Sequence, residues 1–133
     1  MDVFDEELLK FWRSLEEHQV VYIMVSGVDT NLNGYQRSTE DIDIWIEDTL
    51  ENRKKLRSAL FVYGMGDYQI IEQMQFLPGW TDFNLKNGTR LDIMTSMKGL
   101  ENFTILDCLA VSQIAEIDGV KIPFLHINQL ITN

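Results

Sequence analysis

The stretch Ser26-Gly27-Val28-Asp29-Thr30-Asn31-Leu32-Asn33-Gly34-Tyr35-Gln36-Arg37-Ser38-Thr39-Glu40-Asp41-Ile42-Asp43-Ile44-Trp45-Ile46-Glu47 decides how this chain is read. It follows an apolar run rich in β-branched residues, Val20 to Val25, whose composition predicts a buried strand. It ends in Asp41 to Ile46, where polar and apolar residues alternate with period two. In a strand, residues i and i+2 share a face, so Asp41 and Asp43 stand on one side and Ile42, Ile44 and Ile46 on the other. Two adjacent carboxylates repel unless a positive charge lies between them, and a divalent cation is the simplest such charge. Ser26 and Asp29 have the spacing of a capping box opening a brief helix to about Asn33, where Gly34 stops it. Backbone N–H groups after Gly27 then offer a place for a phosphate. The expectation is a combined metal and phosphate site.

Working outward, Phe4, Leu8, Phe11, Trp12 and Leu15 recur at helical spacing and predict an amphipathic helix from Val3 to His18. Beyond the central stretch, Asp48-Thr49-Leu50-Glu51 reads as a second capping box. It opens a helix to about Val62, with Leu50, Leu56, Leu60 and Phe61 on its inner side and Gly64 and Gly66 closing it. Tyr68 to Phe76 reads as a strand. Phe83 to Leu85 and Arg90 to Thr95 flank Asn87-Gly88 and predict a hairpin. In its second strand Leu91 and Ile93 face one way, and Arg90, Asp92 and Met94 the other. A short helix is expected over Phe103 to Ser112, a second hairpin over Ala115 to Phe124 turning at Asp118-Gly119, and a last helix from Ile127 to Ile131. The stop at Asn133, with that helix barely begun, carries the expectation of a truncated C-terminus.

The bulk numbers bound the function. With 133 residues, 45% hydrophobic and 24% charged, the chain reads as one α/β domain with one core. The net charge of −10 and the scatter of its basic residues along the sequence disfavour nucleic acid as a partner. One cysteine, Cys108, excludes an internal disulfide and suits a reducing cytoplasm. No apolar run reaches membrane-spanning length, and the acidic start at Met1 to Glu6 lacks the basic region of a signal peptide. His18 and His126 stand alone and predict no zinc site, while Cys108, Trp12 and Trp45 read as core. Trp80, beside Pro78-Gly79, either lines a pocket or covers a loop.

Three acidic residues therefore fall on strands: Asp41, Asp43 and Asp92. A strand ending in a small-residue turn, then Asn31-Leu32-x-Gly34-Tyr35-x-Arg37-x-Thr39-x-Asp41-Ile42-Asp43, then Leu91-Asp92-Ile93, resembles the nucleotidyltransferase superfamily. The branch it is most similar to is that of small bacterial AbiEii-type nucleotidyltransferases. The likeness runs from about Val20 to Leu130 and includes Asp118-Gly119-Val120-Lys121-Ile122-Pro123-Phe124-Leu125. It implies a nucleotidyltransferase-like α/β (α+β) fold over residues 1–133, a mixed β-sheet flanked by helices. It implies catalytic Asp41, Asp43 and Asp92 holding one or two magnesium ions, with Ser26, Gly27, Arg37 and Thr39 at the nucleoside triphosphate. Asp92 would take the proton from an acceptor hydroxyl that attacks the α-phosphate and expels pyrophosphate.

Other readings stay open beside it. Asp41 and Asp43 also fit the wet face of an edge strand, Arg37 a pair with Glu40 or Asp41, and Thr39 a loop brace. The turn is Ser26-Gly27 where the family carries Gly-Gly or Gly-Ser, and Asp29 stands at a position usually small and uncharged. These departures motivate an alternative: a catalytically weakened binding or regulatory module of the toxin–antitoxin type with a protein partner. A third reading comes from Asp29-x-Asn31-x-Asn33-Gly34 and Glu40, which match a calcium loop of the EF-hand kind. That loop needs a helix on each side, whereas both flanks here have strand composition. The acceptor stays open among a small-molecule hydroxyl, a protein side chain and an RNA end.

Overall fold

The computed structural model describes residues 6–26, 41–76, 82–85, 88–97 and 100–126. Among the described residues three α-helices, α1 (Glu6–Glu17), α2 (Leu50–Tyr63) and α3 (Ile105–Val111), accompany six strands. The strands are β1 (Tyr22–Ser26), β2 (Asp41–Ile46), β3 (Asp82–Asn84), β4 (Arg90–Met94), β5 (Gln113–Ile117) and β6 (Val120–His126). They form one mixed sheet in the order β3-β4-β2-β1-β6-β5. β2 runs parallel to β4 and antiparallel to β1, and β1 runs parallel to β6. None of the helices among the described residues is long and apolar enough to cross a membrane.

Each face of the sheet has its own core. On one face, Leu8, Phe11, Trp12 and Leu15 of α1 and Leu56 and Leu60 of α2 pack on Ile42, Ile44, Ile46, Leu91, Ile93, Val120 and Ile122. On the other, Ile105 and Cys108 of α3, with Met97 and Leu100, cover Ile23, Val25, Trp45, Met94 and Leu125. The alternation of β2 therefore divides the strand as expected. Sliding β2 by one residue would take three isoleucines, each worth about 1.5–3 kcal/mol buried, out of the α1 and α2 core and turn the aspartate positions into it, so the face that carries the aspartates is fixed by hydrophobic burial.

α1 carries Glu6 and Glu7 in its first turn, where acid suits the helix dipole, and buries Ser14 against α2 with its hydroxyl donating to Ala59 O at 2.7 Å. α2 departs from expectation in two ways. Its cap is Thr49, whose hydroxyl accepts from Asn52 N–H at 3.1 Å, one residue later than the proposed box. Asp48 instead accepts from Arg53 at 2.7 Å. Its inner side is made by Asn52, Arg53, Leu56, Ala59, Leu60 and Tyr63, while Leu50 and Phe61 are 55% and 59% exposed and so do not belong to it. Gly64, left-handed at φ 110°, ends the helix with its N–H donating to Leu60 O and Phe61 O, the conformation that glycine takes without strain.

The strand expected over Tyr68 to Phe76 is a correction: the segment holds a 3-10 turn, Gln69–Glu72. Its carbonyls face α2, where the Arg53 guanidinium donates to Ile71 O at 3.0 Å and Met74 O at 2.6 Å and lies 4.8 Å from the Phe76 ring. Arg57 holds the same segment through Asp67 and Glu72 at 2.6 and 2.7 Å. Carbonyls gathered on one buried cation cannot lie in a strand ladder. Both hairpins are present. Gly88 N–H donates to Leu85 O and Leu85 N–H to Thr89 O in the first, and Asp118 and Gly119, at φ 52° and 83°, turn the second. α3 opens at Thr104 with a capping box to Asp107 that the sequence reading had not singled out. The brief helix after Ser26, Trp80 and the last helix from Ile127 lie outside the described residues.

Candidate functional site

The strand registers set out one row of residues on the α3 face. Leu125 of β6 stands opposite Val25 of β1, Val25 opposite Asp43 of β2, Asp43 opposite Asp92 of β4, and Asp92 opposite Asp82 of β3. The row is apolar at one end, where Val25 and Leu125 are buried beside α3, and acidic at the other. One row toward the end of β2, Ile23, Trp45 and Met94 stand side by side and are buried under Met97, Leu100 and Ile105. One row the other way, Asp41 stands opposite Arg90, and Arg90 opposite Asn84. The aspartates thus border an apolar plug on one side and the rim of the sheet on the other.

Asp43 and Asp92 are both half-buried, and they are brought together by the parallel pairing of β2 and β4, whose strands lie about 4.8 Å apart. Strand alternation puts position 41 on their face. β2 is an interior strand, with β4 and β1 on its two sides, so Asp41 and Asp43 do not belong to an edge strand. Their donor set, carboxylate oxygen on neighbouring strands, suits a hard divalent cation such as magnesium. Among the described residues no group of three His, Cys, Asp or Glu is placed to hold a metal ion, and the Asp41 side chain is outside that set.

Of the residues expected at the triphosphate, Ser26 ends β1 opposite His126. Because Val25 is paired with Asp43, the chain leaves β1 beside the acidic row. Gly27, Arg37 and Thr39 lie outside the described residues, as does Asp29. The calcium-loop pattern is flanked by β1 and β2, two paired antiparallel strands, where an EF-hand requires two helices.

Two residues of this region had no role in the sequence reading. Asp82 precedes the strand expected from Phe83, and its place beside Asp92 follows from the hairpin register alone. Arg90 was assigned to the face of Asp92, but nothing in the sequence set it against Asp41. Basic residues also cluster more than expected, with Arg53, Lys54, Lys55 and Arg57 all on α2. Arg53, Lys55 and Arg57 are paired with Asp48, Glu51, Asp67 and Glu72, so the cluster leaves no open basic stripe. The grooves along α2, lined by His18, Lys54 and Ser58, lie on the sheet's other side from the aspartates. Comparison of the chain with models of protein families, with curated proteins and with solved structures gives no match.

Proposed function

We propose that the protein is a magnesium-dependent nucleotidyltransferase of nucleotidyltransferase-like fold, with Asp41, Asp43 and Asp92 as its catalytic carboxylates. One observation carries the reading: the parallel register that sets Asp43 directly opposite Asp92, on the face that position 41 shares. Carboxylates from two interior strands on one face are costly to place together for packing alone, since like charges disfavour their own ionisation. The mixed sheet and the α1 and α2 layer are of the kind that the sequence resemblance implies.

The three aspartates would hold one or two magnesium ions, which when bound neutralise charge on phosphate oxygens. The turn after β1, with Arg37 and Thr39, would hold the donor triphosphate beside them. Asp92 takes the proton of the acceptor hydroxyl as its oxygen bonds to the α-phosphorus. The bond from that phosphorus to the bridging oxygen breaks, and pyrophosphate leaves. The apolar row Ile23–Trp45–Met94 closes the floor of the site and keeps water from one side of the carboxylates.

The test is a titration with manganese, read by electron paramagnetic resonance, followed by the four nucleoside triphosphates. Wild type is expected to bind manganese, and to bind nucleotide only with metal present. Asp43→Asn and Asp92→Asn should each weaken metal binding by about tenfold or more, as loss of one of few carboxylate ligands implies. Metal binding indifferent to both substitutions would overturn the reading. Asp29 favours a second reading, a weakened module, because a carboxylate at a position where the sequence expects phosphate repels a triphosphate. Metal binding without any nucleotide binding at millimolar concentration selects that second reading.

A further inference from the structure

We infer that Arg90 is a further anion-holding residue of this site, binding the phosphates of the donor nucleotide together with Arg37; the inference rests on the nucleotidyl-transfer reading above. The pair Asp43–Asp92 repels any polyphosphate, and bound metal offsets only part of that charge, so the site needs a fixed cation close by. Three observations put Arg90 in that place. It begins β4 two residues before Asp92, so strand alternation sets both on one face. Its register partners are Asp41 on β2 and Asn84 on β3, which centres it on the row next to the carboxylates. It is exposed, although Leu91 beside it is fully buried, so it stands at the solvent side of the sheet's rim.

The direction matters as well. On the other side of the acidic row the neighbours are Ile23, Trp45 and Met94, buried under α3, where no polyphosphate fits. A triphosphate approaching the aspartates therefore extends toward the row that holds Arg90. The other basic strand residue of this face, Lys121, stands opposite Glu116 at the far edge of the sheet. A guanidinium also offers paired N–H donors that match two phosphate oxygens at once, which a lysine cannot do.

The experiment uses inorganic tripolyphosphate with manganese, so that base preference plays no part, and compares wild type with Arg90→Gln and Arg90→Lys. Manganese affinity in the absence of polyphosphate is expected to be unchanged or tighter in Arg90→Gln, because a neighbouring positive charge has gone. Affinity for tripolyphosphate should fall by about tenfold or more in Arg90→Gln and by less in Arg90→Lys. Circular dichroism and thermal melting of both variants exclude misfolding as the cause, and the retained manganese binding reads the same site directly. Manganese bound normally with tripolyphosphate affinity equal to wild type in Arg90→Gln overturns the role of Arg90 and leaves the parent reading standing. Failure of the wild type to bind manganese overturns both.

Discussion

Replacing Asn52 by alanine removes a side chain of α2 that ties Val21, just before β1, to Glu47, just after β2. Asn52 is 2% exposed, and its Oδ1 accepts from Val21 N–H at 2.7 Å. Its Nδ2 donates to Val21 O and to Glu47 O, each at 2.9 Å. Val21 O keeps a second donor after truncation, since Glu47 N–H reaches it at 3.1 Å. Glu47 O likewise keeps a second donor, Thr49 N–H at 3.1 Å, so Val21 N–H is the backbone group that loses its partner. A buried polar group stripped of its partner costs about 1–3 kcal/mol. Val21 is only half-buried, so water recovers part of this, and the loss comes to about 1–2 kcal/mol. That is an appreciable share of the roughly 5–15 kcal/mol by which a domain of this kind is stable. It should lower the midpoint of thermal unfolding by on the order of 5 °C. Urea unfolding followed by circular dichroism and by tryptophan fluorescence measures it. Asn52→Asp keeps the acceptor for Val21 N–H but sets an anionic oxygen against two carbonyls, so it should be at least as unstable at neutral pH. Its deficit should shrink below about pH 4, where the carboxyl is protonated and donates. An Asn52→Ala protein within about 0.5 kcal/mol of wild type, too small a loss for an orphaned buried group, would refute the reasoning.

Two further predictions concern groups away from the acidic row. Hydrogen bonds from Arg57 hold the Asp67 carboxyl below its ordinary value of 3.8. A carboxyl with a lowered folded pKa contributes stability that is present above the unfolded value and lost as pH falls through the folded one. The difference in melting temperature between wild type and Asp67→Asn should accordingly be constant above about pH 5 and close below 3.8, and a gap that persists at pH 2 counts against the pair. Burial, and secondarily the charge of Asp107, pushes the Cys108 thiol above its ordinary range, and the residue is 1% exposed. Alkylation by iodoacetamide at pH 8 should be at least about tenfold slower in the native protein than in urea, because the reacting species is an accessible thiolate. Equal rates would place Cys108 outside the core.

Much of the fold is legible in local pattern. The period of two in Asp41 to Ile46 and Arg90 to Met94, and the helical spacing of Leu8, Phe11, Trp12 and Leu15, give those elements nearly to their ends. Where local reading fails, a buried polar side chain is the cause. Asn52 and Arg53 occupy the inner stripe of α2 because the backbone of Val21 and Glu47 and the carbonyls of Ile71 and Met74 satisfy them. An apolar pattern therefore chose Leu50 and Phe61 in their stead, and it made a strand of the segment that Arg53 gathers.

The sequence by itself determined that Asp41 shares a face with Asp43, and Arg90 with Asp92, because alternation along one strand is a local property of the backbone. Only the tertiary structure decided that Asp43 stands opposite Asp92, Asp41 opposite Arg90, and Asp82 next in the row. Those pairings join strands far apart in the chain, and their register is set by burial of Ile42, Ile44, Leu91 and Ile93 against α1 and α2, a condition that no single segment contains.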